Sequence, residues 1–290
     1  MNHLGLFEGG GIPSLALKYT IPDLVTIGYN DFDKYCCQII EARIRDGILD
    51  DAPIFHCDIR EFNRTVAPLY AGKVDIITAG FPCQPFSVAG KKLGENDARN
   101  QWPATRDCLS IIQPRFALLE NVPGLLAHEY TRRIFGELAE IGYDCEWYIA
   151  SATGVGAPHL RKRVWILANS RHRTRRDNIS GNVELCSGKQ NDSPIGHSPH
   201  IKATGPSSES ETMADTIGLR ELQPEGCITD KRGRVGDGSW WGVEPDVGRV
   251  AHGVANRVDR IRTCGNGWVF HVVASILRYN TEDGRMNHGR

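Results

Sequence analysis

Residues 6–13 read LFEGGGIP, a glycine loop that follows a short apolar run and opens a helix-like pattern. Asp31 ends the next apolar run along the chain. Glycines let a backbone approach a ligand closely, and a carboxylate at the neighbouring strand end accepts ribose hydroxyls. Ser14 stands where a dinucleotide fingerprint has its third glycine, so a single nucleoside such as S-adenosylmethionine is favoured over NAD or FAD. A tight strand-to-helix turn without a ligand is the alternative interpretation.

Short apolar runs alternate with helical patterns up to about Ala168, which predicts an α/β fold with a doubly wound, mainly parallel sheet. Residues 134–142 have helical spacing and end on a glycine, and residues 269–277 resemble a buried helix that returns to the same domain. We therefore expect residues 1–168 and 249–290 to form one domain. The predicted strands are residues 4–7, 24–29, 53–55, 74–79, 116–119, 147–150 and 164–168.

The composition is that of an ordinary globular protein, with 40% of its 290 residues hydrophobic and 24% charged. A formal net charge of −1 argues against a wholly basic nucleic-acid binder but allows a local basic face. The nine cysteines include no Cys-x-x-Cys pair, which favours a reduced, cytoplasmic protein without a structural metal. We expect neither secretion nor membrane insertion, because no apolar run approaches the roughly 20 residues that span a bilayer.

Residues 169–248 are rich in Ser, Gly, Asn, Pro and Arg and have little apolar periodicity. This composition is compatible with a disordered insert or with a small, loop-rich recognition region. We favour the recognition region because basic clusters flank it and would contact a phosphate backbone. The arginines of these clusters that we predict to bind nucleic acid are Arg171, Arg173, Arg175, Arg176, Arg249, Arg257 and Arg260.

Residues 80–87 read GFPCQPFS and place Cys83 between two prolines, directly after an apolar run. Proline fixes its own φ and restricts the residue before it, so Cys83 has little freedom to swing away. A thiol on a stiff loop at a strand end suits a nucleophile. A buried structural cysteine is the alternative, since free cysteine is among the most buried residue types.

Four further polar side chains follow or precede predicted strands. Asp58 follows the third apolar run, where it could accept an adenine amino group or cap a helix. Glu120 follows a buried-looking strand, which would deliver it to the same sheet edge as Cys83 unless it merely caps a turn. Arg161 and Arg163 share one side of an extended chain before the last strand, and a solvated basic flank is the alternative for them.

Together these segments resemble the DNA (cytosine-5) methyltransferases, particularly the short bacterial and phage-type enzymes. The resemblance covers most of residues 4–168 and 249–277, and it is carried by several motifs in the family's order. Two positions depart from the family pattern, because His159 replaces a glutamine and Phe270 replaces a proline. The matching motifs are the glycine loop with Asp31 and Asp58-Ile59, PCQ at 82–84, DAR at 97–99, ENV at 120–122, HLRKR at 159–163, and Gly265-Asn266.

The resemblance implies a Rossmann-like enzyme that uses S-adenosylmethionine to methylate cytosine C5 in duplex DNA, with residues 169–248 as its target-recognition region. It implies that Cys83 attacks C6 of a flipped cytosine, that Glu120 and Arg163 hold the base, and that Arg161 is a fourth catalytic residue. It also implies a monomer in a bacterial or phage-infected cytoplasm; whether a cognate restriction endonuclease exists is left open by the sequence, and any such enzyme would be a functional, non-physical partner. The implied cofactor-binding residues are Phe7, Gly9, Gly11, Asp31, Phe32, Asp58, Ile59, Pro82 and Asn266, and Ser87 joins the arginines named above as DNA-binding.

Three other functions remain open at this point. A methyltransferase of the same family that acts on tRNA shares the Pro-Cys motif, although the polar segment 169–248 favours DNA. A catalytically silent DNA-binding relative is less consistent with the intact Cys83, Glu120 and Arg163. A Rossmann oxidoreductase is disfavoured by the missing third glycine.

Overall fold

The computed structural model describes residues 1–82, 100–126, 129–171 and 267–282, together with Asp259 and Thr263. Seven strands form one sheet in the order β3-β2-β1-β4-β5-β7-β6. This confirms the predicted α/β fold, and every predicted apolar run contributes to a strand. The strands are β1 (Asn2–Leu6), β2 (Val25–Asp31), β3 (Ile54–His56), β4 (Ile76–Ala79), β5 (Phe116–Asn121), β6 (Tyr143–Ala150) and β7 (Arg163–Ser170).

Seven α-helices connect and cover these strands in the described part of the chain, and short 3-10 turns occur at Pro123–Leu125 and Thr153–Val155. None of the described helices is both long and apolar enough to cross a membrane. The helices are α1 (Ile12–Thr20), α2 (Lys34–Arg45), α3 (Ile59–Thr65), α4 (Ala67–Tyr70), α5 (Trp102–Ile112), α6 (Tyr130–Glu140) and α7 (Phe270–Glu282).

The strand order reverses between β1 and β4. β1 pairs in parallel with β2 on one side and with β4 on the other, and the parallel pairing continues to β3 and β5. β7 lies antiparallel between β5 and β6. In open α/β sheets, ligands bind outside the carboxyl ends of the strands at such a reversal. The fold therefore predicts a ligand site beside the loops that follow β1 and β4.

The sheet is covered by an apolar layer on each face. Leu6 of β1 and Ile77 of β4 belong to the layer that includes α3, α5 and α6. Ile76 points to the other face, where it packs with Leu17 of α1 and Val273 of α7. Neighbouring strand residues face opposite sides, so a strand buried on both faces is largely apolar, as β4 is apart from Thr78. The C-terminal helix thus returns to the sheet beside α1, as the sequence predicts.

The bounds of some elements differ from the predicted ones. β6 begins at Tyr143 rather than at Trp147, because this edge strand of the described sheet includes the polar residues Asp144 and Glu146. Helix α7 continues to Glu282, beyond the apolar run on which its prediction was based. The predicted cap of α6 is confirmed, since Gly142 adopts a left-handed φ of 94° just after the helix ends.

Candidate active site

A cavity of about 590 Å³ opens at the carboxyl ends of β1, β2, β4 and β5. The glycine loop borders one side of it, and Glu120 with two arginines borders the other. Across the described residues, no group of three or more His, Cys, Asp and Glu side chains is arranged to hold a metal ion. The predicted site residues that line the cavity are Phe7, Gly9, Asp31, Phe32, Asp58, Ile59, Pro82, Glu120, Arg161 and Arg163.

The glycine loop turns sharply between β1 and α1. Phe7, Gly9 and Gly11 all have positive φ, at 52°, 60° and 83°. Two features require a glycine at residue 11. Its φ is positive, and a Cβ at this position would lie 2.6 Å from Leu49 Cδ1. The loop is held against the end of β2, where the Glu8 amide donates to the Asn30 carbonyl at 3.2 Å. Gly11 shapes the loop without lining the cavity.

Asp31 connects the glycine loop to the turn after β2. Its Oδ2 accepts from the Gly9 amide at 2.7 Å, and its Oδ1 accepts from the Asp33 amide at 2.8 Å. Burial raises the pKa of the Asp31 carboxyl, while these two amides act in the opposite direction. Each oxygen keeps a lone pair for a ligand hydroxyl. Phe32 follows with a ring that is 72% exposed, which leaves an aromatic surface at the rim of the cavity.

Asp58 caps helix α3, as the alternative interpretation held. Its side chain accepts from the Arg60 amide at 2.8 Å and lies 3.4 Å from the Arg60 guanidinium. The same side chain lines the cavity, next to Ile59. Because a carboxylate has about four acceptor positions, the cap fixes the orientation of Asp58 and leaves an acceptor available to a ligand.

Glu120 and Arg163 form an ion pair at the other side of the cavity, with Arg163 Nε 2.8 Å from Glu120 Oε1. They meet because β7 is antiparallel to β5, which pairs Val164 with Asn121 and so brings the start of β7 to the end of β5. Glu120 is only 9% exposed. Burial raises the pKa of its carboxyl, and the positive charges of Arg163 and Arg161 oppose this rise.

Arg161 joins the segment before β7 to the segment before α7. Its Nη2 donates to the Gly267 carbonyl at 2.6 Å, and its φ of 29° is unusual for a residue other than glycine. Burial and the nearby charge of Arg163 lower the pKa of its guanidinium. A strained backbone that persists at a cavity wall requires support from its surroundings, which here includes this hydrogen bond.

The chain that leads to Cys83 is anchored beside Glu120. Asn121 Nδ2 donates to the Phe81 carbonyl at 3.1 Å, and the Phe81 ring packs on Trp102 with centroids 5.3 Å apart. Pro82 follows on the cavity wall. The remaining predicted site residues lie outside the described residues, as does nearly all of the predicted region 169–248: Cys83, Ser87, Arg173, Arg175, Arg176, Arg249, Arg257, Arg260 and Asn266.

Arg171 is the one predicted DNA-binding residue that the structure describes, and it lies away from the cavity. Its amide donates to the Gly142 carbonyl at 2.9 Å, its guanidinium donates to the Ala139 carbonyl, and its Nε is 3.7 Å from Asp144 Oδ1. This is the far end of β7, where Ser170 pairs with the residue before β5. Its role in binding DNA stays a prediction.

Several residues that line the cavity were not predicted from the sequence, and two of them are notable. Trp268 is 8% exposed and packs edge-on against Trp165, with ring centroids 4.8 Å apart. A bulky aromatic residue directly after Gly265-Asn266-Gly267 was the available signal. Glu8 is 2% exposed although it is charged and lies within the glycine loop. A single acid between an apolar run and three glycines could have drawn attention to it.

Three comparisons relate this chain to known proteins. Type II methyltransferase M.NgoBI of Neisseria gonorrhoeae is 31% identical over 172 residues, which are 58% of this chain and 50% of that protein. Type II methyltransferase M.BsuFI of Bacillus subtilis is 35% identical over 176 residues, which are 58% of this chain and 39% of that protein. A crystal structure of a Spodoptera frugiperda DNMT2 variant matches with a TM-score of 0.49 and 22% identity, over 60% of this chain and 51% of that one.

This chain spans half or less of the length of these two curated relatives. A sequence profile described as C-5 cytosine-specific DNA methylase matches residues 1–231. Because that match covers well over half of its residues, the chain belongs to the C-5 cytosine-specific DNA methylase family.

Proposed function

We propose that this chain is a DNA cytosine-5 methyltransferase, which transfers a methyl group from S-adenosylmethionine to C5 of a flipped cytosine in duplex DNA. The observation that carries this proposal is the shared cavity. The glycine loop and Asp31 border one side of it, and Pro82 and the Glu120–Arg163 ion pair border the other. A nucleoside cofactor and a target base would meet there.

The residues on the cofactor side fit a positively charged nucleoside. Asp31 has lone pairs for ribose hydroxyls, the exposed ring of Phe32 offers a surface for a flat base, and Asp58 has a free acceptor position. Glu8 Oε2 is buried and has no hydrogen-bond partner among the described residues, which suits a ligand that carries positive charge. When bound, S-adenosylmethionine supplies an electrophilic methyl group. The other proposed cofactor-binding residues are Phe7, Gly9, Ile59, Pro82 and Asn266, and Gly11 would act through the shape of the glycine loop.

Cys83 is the proposed nucleophile. Cytosine C5 is too electron-poor to take up a methyl group directly, so the thiolate first forms a bond to C6 and turns C5 into a nucleophile. After C5 is methylated, a base removes its proton, and the C6–S bond breaks with its electron pair returning to sulfur. A free cysteine has a pKa of about 8.5 and is mostly protonated at neutral pH. The positive charges of Arg161 and Arg163 would favour the thiolate.

Glu120 would bind the base while Cys83 attacks. A carboxylic acid whose pKa is raised by burial can donate a hydrogen bond to N3 of cytosine and accept one from the exocyclic amine. Arg163, which already holds Glu120 at 2.8 Å, would contact the O2 edge of the base. Arg161 supports this wall through the Gly267 carbonyl.

The target cytosine would have to leave the DNA stack, because its C6 face is inaccessible inside a duplex. Phosphate contacts position a protein on DNA without reading its sequence, and arginines suit that role. We propose residues 169–248 as the target-recognition region and a monomeric, cytoplasmic enzyme, with any restriction endonuclease acting separately. The proposed DNA contacts are Ser87, Arg171, Arg173, Arg175, Arg176, Arg249, Arg257 and Arg260.

The test is methyl transfer from tritiated S-adenosylmethionine to mixed-sequence duplex DNA and, separately, to tRNA, followed by bisulfite sequencing of the DNA. We expect 5-methylcytosine in DNA, loss of transfer in Cys83→Ser, and full transfer in the control Cys145→Ser on the edge strand β6. Unchanged transfer by Cys83→Ser would contradict the covalent mechanism. Methylation of tRNA alone would support the tRNA alternative, and DNA binding without any transfer would support a silent relative.

A further inference from the structure

The Glu8 side chain is folded underneath the glycine loop. Its Oε1 accepts from the Ser14 amide at 3.0 Å and from the Ser14 hydroxyl at 2.5 Å. Its Oε2 is buried and, among the described residues, has no hydrogen-bond partner. A buried carboxylate oxygen without a partner is costly to keep charged, so this group needs either a proton or a positive charge nearby.

The local sequence creates the space for this side chain. Gly5 on β1 lies directly beneath it, and a Cβ at residue 5 would collide with Glu8 Oε2. Helix α1 also lacks a side-chain cap, because its N-cap residue is Gly11. Glu8 supplies the missing acceptor by bonding the Ser14 amide in the first turn. The carboxyl group is therefore held in place by β1 below and by α1 beside it.

Charged and titratable groups face Glu8 from three elements. On β1, His3 contacts Ser14 Oγ at 3.5 Å and is neutral, because burial lowers its pKa to about 3. Asp31 and Tyr29 approach from β2, and Arg43 approaches from α2 and donates to the Gly10 carbonyl. Burial, with a smaller contribution from Asp31, raises the pKa of Glu8 to about 7, although Ser14 and Arg43 act to lower it.

We propose that Glu8 carries a proton in the free protein and releases it to solvent when a cation occupies the cavity beside the glycine loop. This inference rests on the proposed function, because the cation in question is the sulfonium of S-adenosylmethionine. Glu8 lines the cavity, so a positive charge there stabilises the carboxylate. The demethylated product has a neutral sulfur, and its binding requires less of this ionisation. Glu8 thus makes affinity for the cofactor, relative to the product, increase with pH.

The test is isothermal titration calorimetry without DNA, at pH 7 in two buffers with different ionisation enthalpies. The ligands are S-adenosylmethionine and S-adenosylhomocysteine, and the difference between buffers gives the protons released on binding. The amino group of each ligand also titrates, with a pKa of about 8, so the informative quantity is the difference between protein variants. Glu8→Gln keeps an acceptor for Ser14 but cannot ionise, and Glu41→Gln removes an exposed acid from α2 as the matched control.

We expect the unsubstituted protein and Glu41→Gln to release about half a proton more than Glu8→Gln on binding S-adenosylmethionine, and clearly less on binding the product. Equal release by all three proteins would overturn the inference. If Glu8→Gln fails to fold or bind, Ser14→Ala provides the test. Without the Ser14 hydroxyl, the pH at which the most protons are released on cofactor binding must move upward. No cofactor binding by the unsubstituted protein would contradict the proposed function, whereas binding without the extra proton would contradict only the role of Glu8.

Discussion

The indole of Trp268 occupies the space that a side chain on Gly80 would need, with its Nε1 2.7 Å from the position of a Cβ at residue 80. Trp268 is itself confined by Trp165. Gly80 ends the β4 region and precedes Phe81 and Pro82, so this contact links the C-terminal segment to the chain that leads to Cys83. The close approach explains why residue 80 is a glycine although its φ is not positive.

Gly80→Ala is expected to destabilise the protein by about 1–3 kcal/mol, since neither the backbone nor the confined indole has room to move. It should also displace Pro82 and lower kcat more than tenfold. Urea unfolding and methyl-transfer kinetics measure the two effects. Gly136→Ala in the middle of α6 is the control, because nothing lies within 4 Å of its added methyl group, and it should be neutral or slightly stabilising. Equal stability of the two variants would refute the proposed conflict.

Arg163→Gln should shift the pH dependence of methyl transfer. The positive charge of Arg163 lowers the pKa of Glu120, so its removal raises that pKa further and keeps Glu120 protonated to higher pH. We expect the limb of the pH–rate profile that reflects the titration of Glu120 to move to higher pH, and kcat to fall about a hundredfold. Arg133→Gln, which removes a surface ion pair with Glu137 on α6, should leave the profile in place. A profile that is unchanged in Arg163→Gln would contradict the coupling.

Asp31→Asn should weaken cofactor binding at least tenfold while costing about 1–2 kcal/mol of stability. Both Asp31 oxygens accept from backbone amides, and the asparagine NH₂ would face one of these donors. Asp75→Asn provides a matched control, because the Asp75 carboxylate also accepts from a backbone amide, that of Asn2 at 2.8 Å, but does not line the cavity. Calorimetric titration with S-adenosylmethionine tests both variants. Similar affinities for the two would mean that Asp31 does not contact the ligand.

His3→Gln should reduce the loss of stability in acid. The folded protein holds His3 neutral with a pKa of about 3, whereas the unfolded chain protonates it near 6.5, so this residue makes stability fall as the pH drops below about 6.5. Between pH 7 and pH 5 its contribution is about 2 kcal/mol. Glu8 acts in the opposite direction in this range, so only the difference between variant and unsubstituted protein is informative.

Urea unfolding at both pH values provides the measurement for His3. Glutamine retains a hydrogen bond to Thr78, which His3 Nε2 contacts at 2.9 Å. The exposed His271 on α7 supplies the control His271→Gln, which should behave like the unsubstituted protein. An unchanged acid dependence in His3→Gln would show that another group is responsible.

The apolar runs predicted the strands, because a strand buried on two faces is largely apolar. They did not predict that β7 is inserted antiparallel between β5 and β6, since strand order depends on contacts between residues far apart in sequence. The Glu120–Arg163 pair is a product of that insertion: both residues were predicted for the site, but their 2.8 Å contact was not. Trp268 was missed because its role depends on Gly80, which is distant in sequence and carries no side chain.

The antiparallel course of β7 also carries the chain away from the cavity. β7 starts at the cavity with Arg163 and ends at Ser170, about 25 Å away at the rise of a strand. Among the described residues after Ser170, the first that lines the cavity is Thr263, close to Gly10. The stretch that joins Ser170 to Thr263 thus starts at the far end of β7 and ends beside the glycine loop. Under the proposed function, changes within the proposed recognition region would therefore leave the Glu120–Arg163 pair and the glycine loop in place, so that a new target preference requires no new chemical centre.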